Sequence, residues 1–328
     1  MWIFVSAIVL VSINDEPLAF AQKTGEDPMQ NNRLTLSDTI ADIVNHPAFR
    51  GYGELLLPWE NNAPYYDTSL RNVGRSMPYH SNVRPEVVLS AINSMIDEVN
   101  SGKTIFYNFY SEEQKKQDPS KNQTGLFFFR GEPGAPFAVI CPGGGFRYVG
   151  SLHEGFPLAE EIRKKRLNVF VIRYRTGSSQ EATEDLAAAI SYIINSAAEL
   201  GVGRSGYSLW GGSAGARLAG NIALHGISAF VHGNLPNPAA VVIAYTGQIS
   251  YSPDFPPTFI TVSENDWIVN ASGVERRVQN LRDAGVEVEF NRYKTAGHGF
   301  GTGQGTDAEG WMDDAIEFWK MHLPTKLE

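Results

Sequence analysis

From residue 103 onward, apolar and polar positions fall into a regular pattern. Short apolar runs rich in β-branched and aromatic residues occupy 103–110, 124–130, 137–141, 168–174, 207–210, 239–245, 257–263 and 286–293, which predicts eight strands. Between the later runs, apolar residues recur at helical spacing over 154–166, 180–200, 214–225, 272–284 and 307–322, and Gly201 and Gly285 stand just past two of these ends. Strands alternating with helices predict an α/β fold whose mostly parallel sheet is covered by helices on both faces. At the start, a charged loop over 111–123 and a short turn over 131–136 suit antiparallel hairpins joining the first strand to the second and the second to the third.

Before residue 103 the pattern is different. Residues 22–83 carry little periodicity and are punctuated by Pro58, Pro64 and Pro78, yet they hold Phe49, Tyr52, Trp59, Tyr65, Tyr66 and Tyr79, too many rings for a disordered linker. Pro85 opens a helical pattern with Val88, Ile92, Met95 and Val99 on one face and Gly102 past its end. The expected organisation is therefore a segment 1–21, an arm and helix over 22–102, and a catalytic domain over 103–328. Because the sheet is covered by its own helices, the arm is expected at the mouth above the carboxyl ends of the strands. There Tyr65, Tyr66, Arg71, Arg75 and Tyr79 would form a rim; the alternative is that they only staple the arm to the back of the domain.

Residues 1–21 resemble an export signal: an apolar run over 3–13 is too short to span a bilayer comfortably, and Ala19, Phe20 and Ala21 form a small-x-small cleavage site. No Lys or Arg precedes the run, and Asp15 and Glu16 follow it. The expectation is export to the periplasm or beyond, with a membrane anchor or a cytoplasmic chain as the alternative if the segment is retained. Composition adds exclusions. The chain has 27 Lys plus Arg against 36 Asp plus Glu, a net charge of -9, which disfavours a basic groove for nucleic acid. A single cysteine, Cys141, rules out an internal disulfide or a cysteine metal cluster and reads as a buried thiol in a strand.

Four loops, each following a predicted strand, carry the candidate chemistry. Gly211, Gly212, Ser213, Ala214 and Gly215 spell G-x-S-x-G between a strand and a helix, the pattern that holds a serine out on a tight turn. Pro142, Gly143, Gly144, Gly145 and Phe146 leave backbone N–H groups bare for a developing oxyanion, and the loop lacks the Lys and Ser/Thr or third glycine that phosphate binding requires. Asp266, at the turn after the seventh strand, is placed to orient a histidine, with Glu264 and Asp254 next in line; its plainer role is to cap the following helix. His298, between Gly297 and Gly299, is the candidate base; His153 is its one rival and otherwise a wall or capping residue.

The order Ser213, Asp266, His298 is that of the α/β-hydrolase superfamily, which the chain resembles over 103–323. Within it, the glycine loop followed by Ser151, Leu152, His153, Glu154, Gly155, Phe156 and Pro157 looks like the bacterial acetyl esterase and feruloyl-esterase-like group. Pro142 stands where the His-Gly-Gly-Gly branch has histidine, so that branch's preferences do not carry over. The resemblance implies a serine carboxylic-ester hydrolase working through an acyl-enzyme, on small-molecule or carbohydrate esters, acetyl above all. Ser213, Asp266 and His298 would be the triad, Ala214 with Gly144 or Gly145 the oxyanion donors, and Phe146, Trp267, Tyr65 and Tyr66 the substrate contacts, with no metal or cofactor required. The alternatives are a peptidase or acyltransferase on the same triad, or an inactive binding module.

Overall fold

The computed structural model describes residues 32–233, 235–247 and 250–324. In chain order its elements are α1 Ile40–Val44, α2 Pro85–Asn100, β1 Phe106–Tyr107, α3 Glu112–Gln117, β2 Gly125–Phe129, β3 Phe137–Cys141, α4 Phe156–Lys164, β4 Asn168–Arg173, α5 Ser179–Asn195, α6 Ala197–Leu200, β5 Ser208–Gly212, α7 Ala214–His225, β6 Ala240–Ala244, β7 Thr258–Ser263, α8 Ala271–Asp283, β8 Val288–Tyr293 and α9 Trp311–Met321. The strands form one sheet in the order β1-β2-β4-β3-β5-β6-β7-β8. Its β1–β2 and β2–β4 pairs are antiparallel, and the rest are parallel. Every residue of β2 through β7 is buried, which is why these strands read as unbroken apolar runs rather than alternating ones.

Side chains leave each strand in alternation and feed two cores. Ala138 and Ile140 of β3 join the layer built by α2, α4 and α9, while Phe137, Val139 and Cys141 join the layer built by α5, α7 and α8. Cys141 is a free, buried cysteine whose thiol is pushed upward in pKa by burial.

Three sequence expectations are corrected. The expected β2–β3 hairpin does not form, because β4 lies between the two strands. The turn after β2 is tied to the head of β4 instead: Asn168 Oδ1 accepts from the Gly131 N–H at 2.9 Å, and its Nδ2 donates to Glu132 O and Ala135 O, both at 3.0 Å. The charged stretch 111–123 is helical, since Ser111 and Gln114 close a capping box at the head of α3. The last helix starts at Trp311 rather than 307, because the Asp307 carboxylate accepts from the Lys294 and Thr295 N–H groups.

The arm is not a separate layer. Ile43, Phe49, Leu56, Leu57 and Ile92 are fully buried in the same core as Ile140, Phe156 and Trp319, so the boundary drawn at residue 103 is not a boundary of packing. From Arg33 onward the chain forms one compact unit. The expected signal segment, 1–21, lies outside the described residues. No described helix is long and apolar enough to cross a membrane.

Candidate active site

β5 ends at Gly212 and α7 begins at Ala214, which leaves Ser213 alone in the turn at φ 50°, ψ −114°. A serine in this region is strained by roughly 1–3 kcal/mol and persists only where the surroundings dictate it. They do so here through glycine. A Cβ at Gly215 would lie 1.8 Å from Cys141 O, and one at Gly211 would lie 2.5 Å from the Ala216 backbone. The helix therefore crosses against β3 and β5 with no room for side chains, and the Ser213 N–H is fixed to Ala244 O at 3.0 Å.

The three polar residues picked from separate loops meet in a line. His298 Nε2 lies 2.9 Å from Ser213 Oγ, and His298 Nδ1 lies 2.7 Å from Asp266 Oδ2. The His298 and Asp266 side chains are 1% and 0% exposed. Asp266 does not cap α8, whose N-cap is Asn270; its other oxygen accepts from the N–H groups of Ile268 at 2.8 Å and Val269 at 2.7 Å in the turn before that helix. Those two bonds fix the carboxylate, so Oδ2 is aimed before the histidine arrives. Glu264 sits 3.3 Å from the Arg292 guanidinium instead. The His298 loop is anchored from two sides. The Gly297 N–H donates to Asn265 Oδ1 and Ser263 Oγ, and from the arm the Ser81 N–H donates to His298 O at 2.8 Å while Asn82 Nδ2 donates to Ala296 O at 2.7 Å. The Tyr245 and Trp267 rings stand edge-on to the imidazole at 5.2 and 6.1 Å.

The glycine loop turns through left-handed backbone at Gly144, Gly145 and Phe146 (φ 139°, 65° and 58°). Among the described residues, the Gly144, Gly145 and Ala214 N–H groups donate to no other group, and Gly145 and Ala214 border the cleft beside Ser213. Gly143 differs: its N–H donates to Glu154 Oε2 at 2.6 Å.

Glu154 is buried behind the loop, with Oε1 3.2 Å from His80 Nε2. His80 Nδ1 is 2.9 Å from the Tyr148 hydroxyl, which also accepts the Tyr79 N–H. Burial alone would raise the Glu154 carboxyl, but His80 and the Gly143 N–H outweigh it and hold it at about 2. Burial and the Glu154 charge push the Tyr245 phenol far upward. His153 is not a second base: its Nε2–H donates to Gly299 O at 3.0 Å, and burial, then His80, lower it to about 4. Sequence reading missed Glu154 and His80 as site residues. The available signal for Glu154 was a lone carboxylate in the apolar stretch after the glycine loop; His80 has none, since its partners lie far along the chain.

The cleft holds about 500 Å³ and runs from Gly145 and Phe146 past Ser213 to Thr246 and the first turns of α8. Phe146 lines it as expected. Trp267 is 59% exposed and does not line it, although its ring touches that of His298 edge-on. Tyr65 and Tyr66 do not line the cleft: Tyr65 stacks on Trp59 at 6.2 Å, and the Tyr66 hydroxyl donates to Glu54, both within the arm. Arg71 and Arg75 are exposed away from it, and Tyr79 alone of the expected rim approaches the glycine loop, with Cε2 3.1 Å from where a Gly145 Cβ would be. Among the described residues no group of three or more His, Cys, Asp or Glu is placed to hold a metal ion.

A family model described as BD-FAE matches residues 130–250, the span containing the glycine loop, Glu154 and the Ser213 turn. No curated protein matches the chain. Among solved structures, an alpha/beta hydrolase enzyme from a Medee basin deep-sea metagenome library is 23% identical, with a TM-score of 0.53 over 61% of this chain and 92% of its own. A thermophilic esterase of Thermogutta terrifontis with propionate bound is 18% identical, with a TM-score of 0.53 over 62% of this chain and 92% of its own. An acetyl ester-xyloside bifunctional hydrolase from Caldicellulosiruptor lactoaceticus is 17% identical, with a TM-score of 0.58 over 66% and 95%. With the sheet order and the Ser213 turn described above, these likenesses identify the architecture: the chain has the α/β-hydrolase fold.

Proposed function

We propose that the protein is a serine carboxylic-ester hydrolase that works through an acyl-enzyme and removes short acyl groups, acetyl above all, from carbohydrate or related esters. One observation carries the reading: the Asp266–His298–Ser213 line, with its serine held in strained backbone beside free N–H groups. In this reading Ser213 Oγ attacks the ester carbonyl as its proton passes to His298 Nε2. Asp266 holds the Nδ1–H tautomer and stabilises the imidazolium, which then protonates the leaving alcohol. The oxyanion forms against the Ala214 N–H and that of Gly144 or Gly145, where each donor is worth about 3 kcal/mol of transition-state stabilisation. Water then enters and His298 reverses its role. Support for the acyl preference comes from the modest cleft and from two structural neighbours, one an acetyl ester-xyloside bifunctional hydrolase and one an esterase with propionate bound.

The test has two parts. A fluorophosphonate must label the native protein and not Ser213→Ala. Initial rates must then fall along a series of p-nitrophenyl esters from acetate to long chains, and acetylated sugars must be turned over. Preference for long-chain esters, or labelling that survives Ser213→Ala, would refute the reading.

A further inference from the structure

The proposed chemistry leaves two cationic side chains of the cleft unused. Arg217 lies four residues into α7 from Ser213, one turn on along the same helix face, roughly 6 Å by the rise of the helix. It is half-buried, its guanidinium rests over the Phe146 ring at 5.5 Å, and it bonds to no carboxylate among the described residues. Arg276 approaches from α8. Asn270, Gly273 and Arg276 stand three apart and turn one face of that helix to the cleft. Gly273 leaves open the space over which Arg276 leans back: its Nη2 lies 3.8 Å from where a Gly273 Cβ would be. Arg276 also has no ion-pair partner among the described residues. Among the described residues no Asp or Glu lines this cleft, although the chain as a whole carries a net charge of -9. Two guanidinium groups without carboxylates, turned into a cleft that borders the nucleophile, form a receptor for an anion. The planar fork of arginine suits a carboxylate, and the Phe146 ring backs that of Arg217.

We infer that the preferred substrates are esters bearing a free carboxylate, which Arg217 and Arg276 bind in the cleft beside Ser213. This rests on the ester-hydrolase reading and narrows its substrate class to esters that carry a carboxylate. The carboxylate can sit on the acyl or the alcohol part of the ester, and two matched pairs separate these sources. The mono-p-nitrophenyl ester of succinate is compared with its methyl ester for the acyl side, and acetylsalicylate with its methyl ester for the alcohol side.

With the full chain, kcat/KM for the carboxylate member of at least one pair should exceed its neutral partner by about tenfold or more. That ratio should fall toward unity in the Arg217→Gln/Arg276→Gln variant, and as salt rises from about 20 to about 500 mM. Neutral members that react as well or better in both pairs, or a preference that survives in the double variant, overturn the inference. If no ester of the four shows hydrolysis dependent on Ser213, the ester-hydrolase reading itself fails. The anion site is then judged by calorimetry of monomethyl succinate binding to Ser213→Ala. Binding lost with the two arginines upholds the site, and absence of binding overturns it.

Discussion

Glu154 accepts the Gly143 N–H at 2.6 Å from a position behind the glycine loop, and the same oxygen lies 2.5 Å from where a Cβ at Gly212 would be. One buried carboxylate thus sets the spacing between the loop that offers the oxyanion donors and the strand that presents the nucleophile. A residue used this way acts through the groups it positions. Its contribution should surface in the rate of chemistry more than in substrate affinity.

Glu154→Gln keeps the shape and an oxygen for Gly143 but removes the charge that His80 and Tyr245 face. We expect kcat on a short-chain ester to fall by roughly tenfold with KM within about twofold, because the oxyanion donors shift while the cleft does not. Unchanged kcat with a lowered melting temperature would reduce Glu154 to a purely structural role.

Ser213→Ala, His298→Ala and Asp266→Asn should each lower kcat by about three orders of magnitude or more with the circular dichroism spectrum preserved, since the three act as one unit. The Ser213→Ala/His298→Ala double variant should be hardly slower than either single change. Additive losses in steady-state rates would show that the 2.9 Å contact between them is not used in catalysis.

Gly215→Ala adds one methyl group at a point 1.8 Å from Cys141 O. Neither the helix backbone nor the strand backbone can yield cheaply. Urea unfolding should show a loss of about 3 kcal/mol or more, at the upper end of overpacking costs. At Gly201, where no atom lies within 4 Å but φ is 70°, alanine should cost only about 1 kcal/mol from backbone strain.

Acid should weaken the fold in two stages. His153 has a folded pKa of about 4 against an ordinary 6.5, so the unfolded chain takes up its proton first and stability falls as pH drops from 6.5 to 4. Glu154, depressed from 4.5 to about 2, adds a second loss as pH falls through that interval. Denaturant midpoints measured from pH 7 downward should decline, and His153→Gln should flatten the part between 6.5 and 4; an equal slope in that variant would contradict the assignment.

The central strands and the meeting of Ser213, Asp266 and His298 were legible in the sequence for the same reason. A strand buried on both faces must be apolar throughout, and a site at the carboxyl ends of such strands places its residues in the loops that follow them; Ser213, Asp266 and His298 each occupy such a loop. Strand order was less legible. Adjacency along the chain suggested a β2–β3 hairpin, whereas β4 lies between the two strands and the side chain of Asn168 ties the turn to its head. The arm was the hardest part to read, because its aromatic residues announce burial without saying against what. Tyr65 and Tyr66 pack within the arm itself, while His80, unremarkable in sequence, reaches the carboxylate behind the glycine loop. Contacts between residues far apart in the chain leave no periodicity to detect.

The bonds from Ser81 to His298 and from Asn82 to Ala296 span more than two hundred residues. A chain made from its amino end therefore has its arm long before the loop that the arm must clamp, and nothing local can complete the histidine's support in the meantime. Closing so long a loop is slow, since its entropy must be lost before the contact returns any energy. Recovery of activity during refolding should accordingly lag behind recovery of helical signal, with the final rise marking the moment when the arm meets the histidine loop.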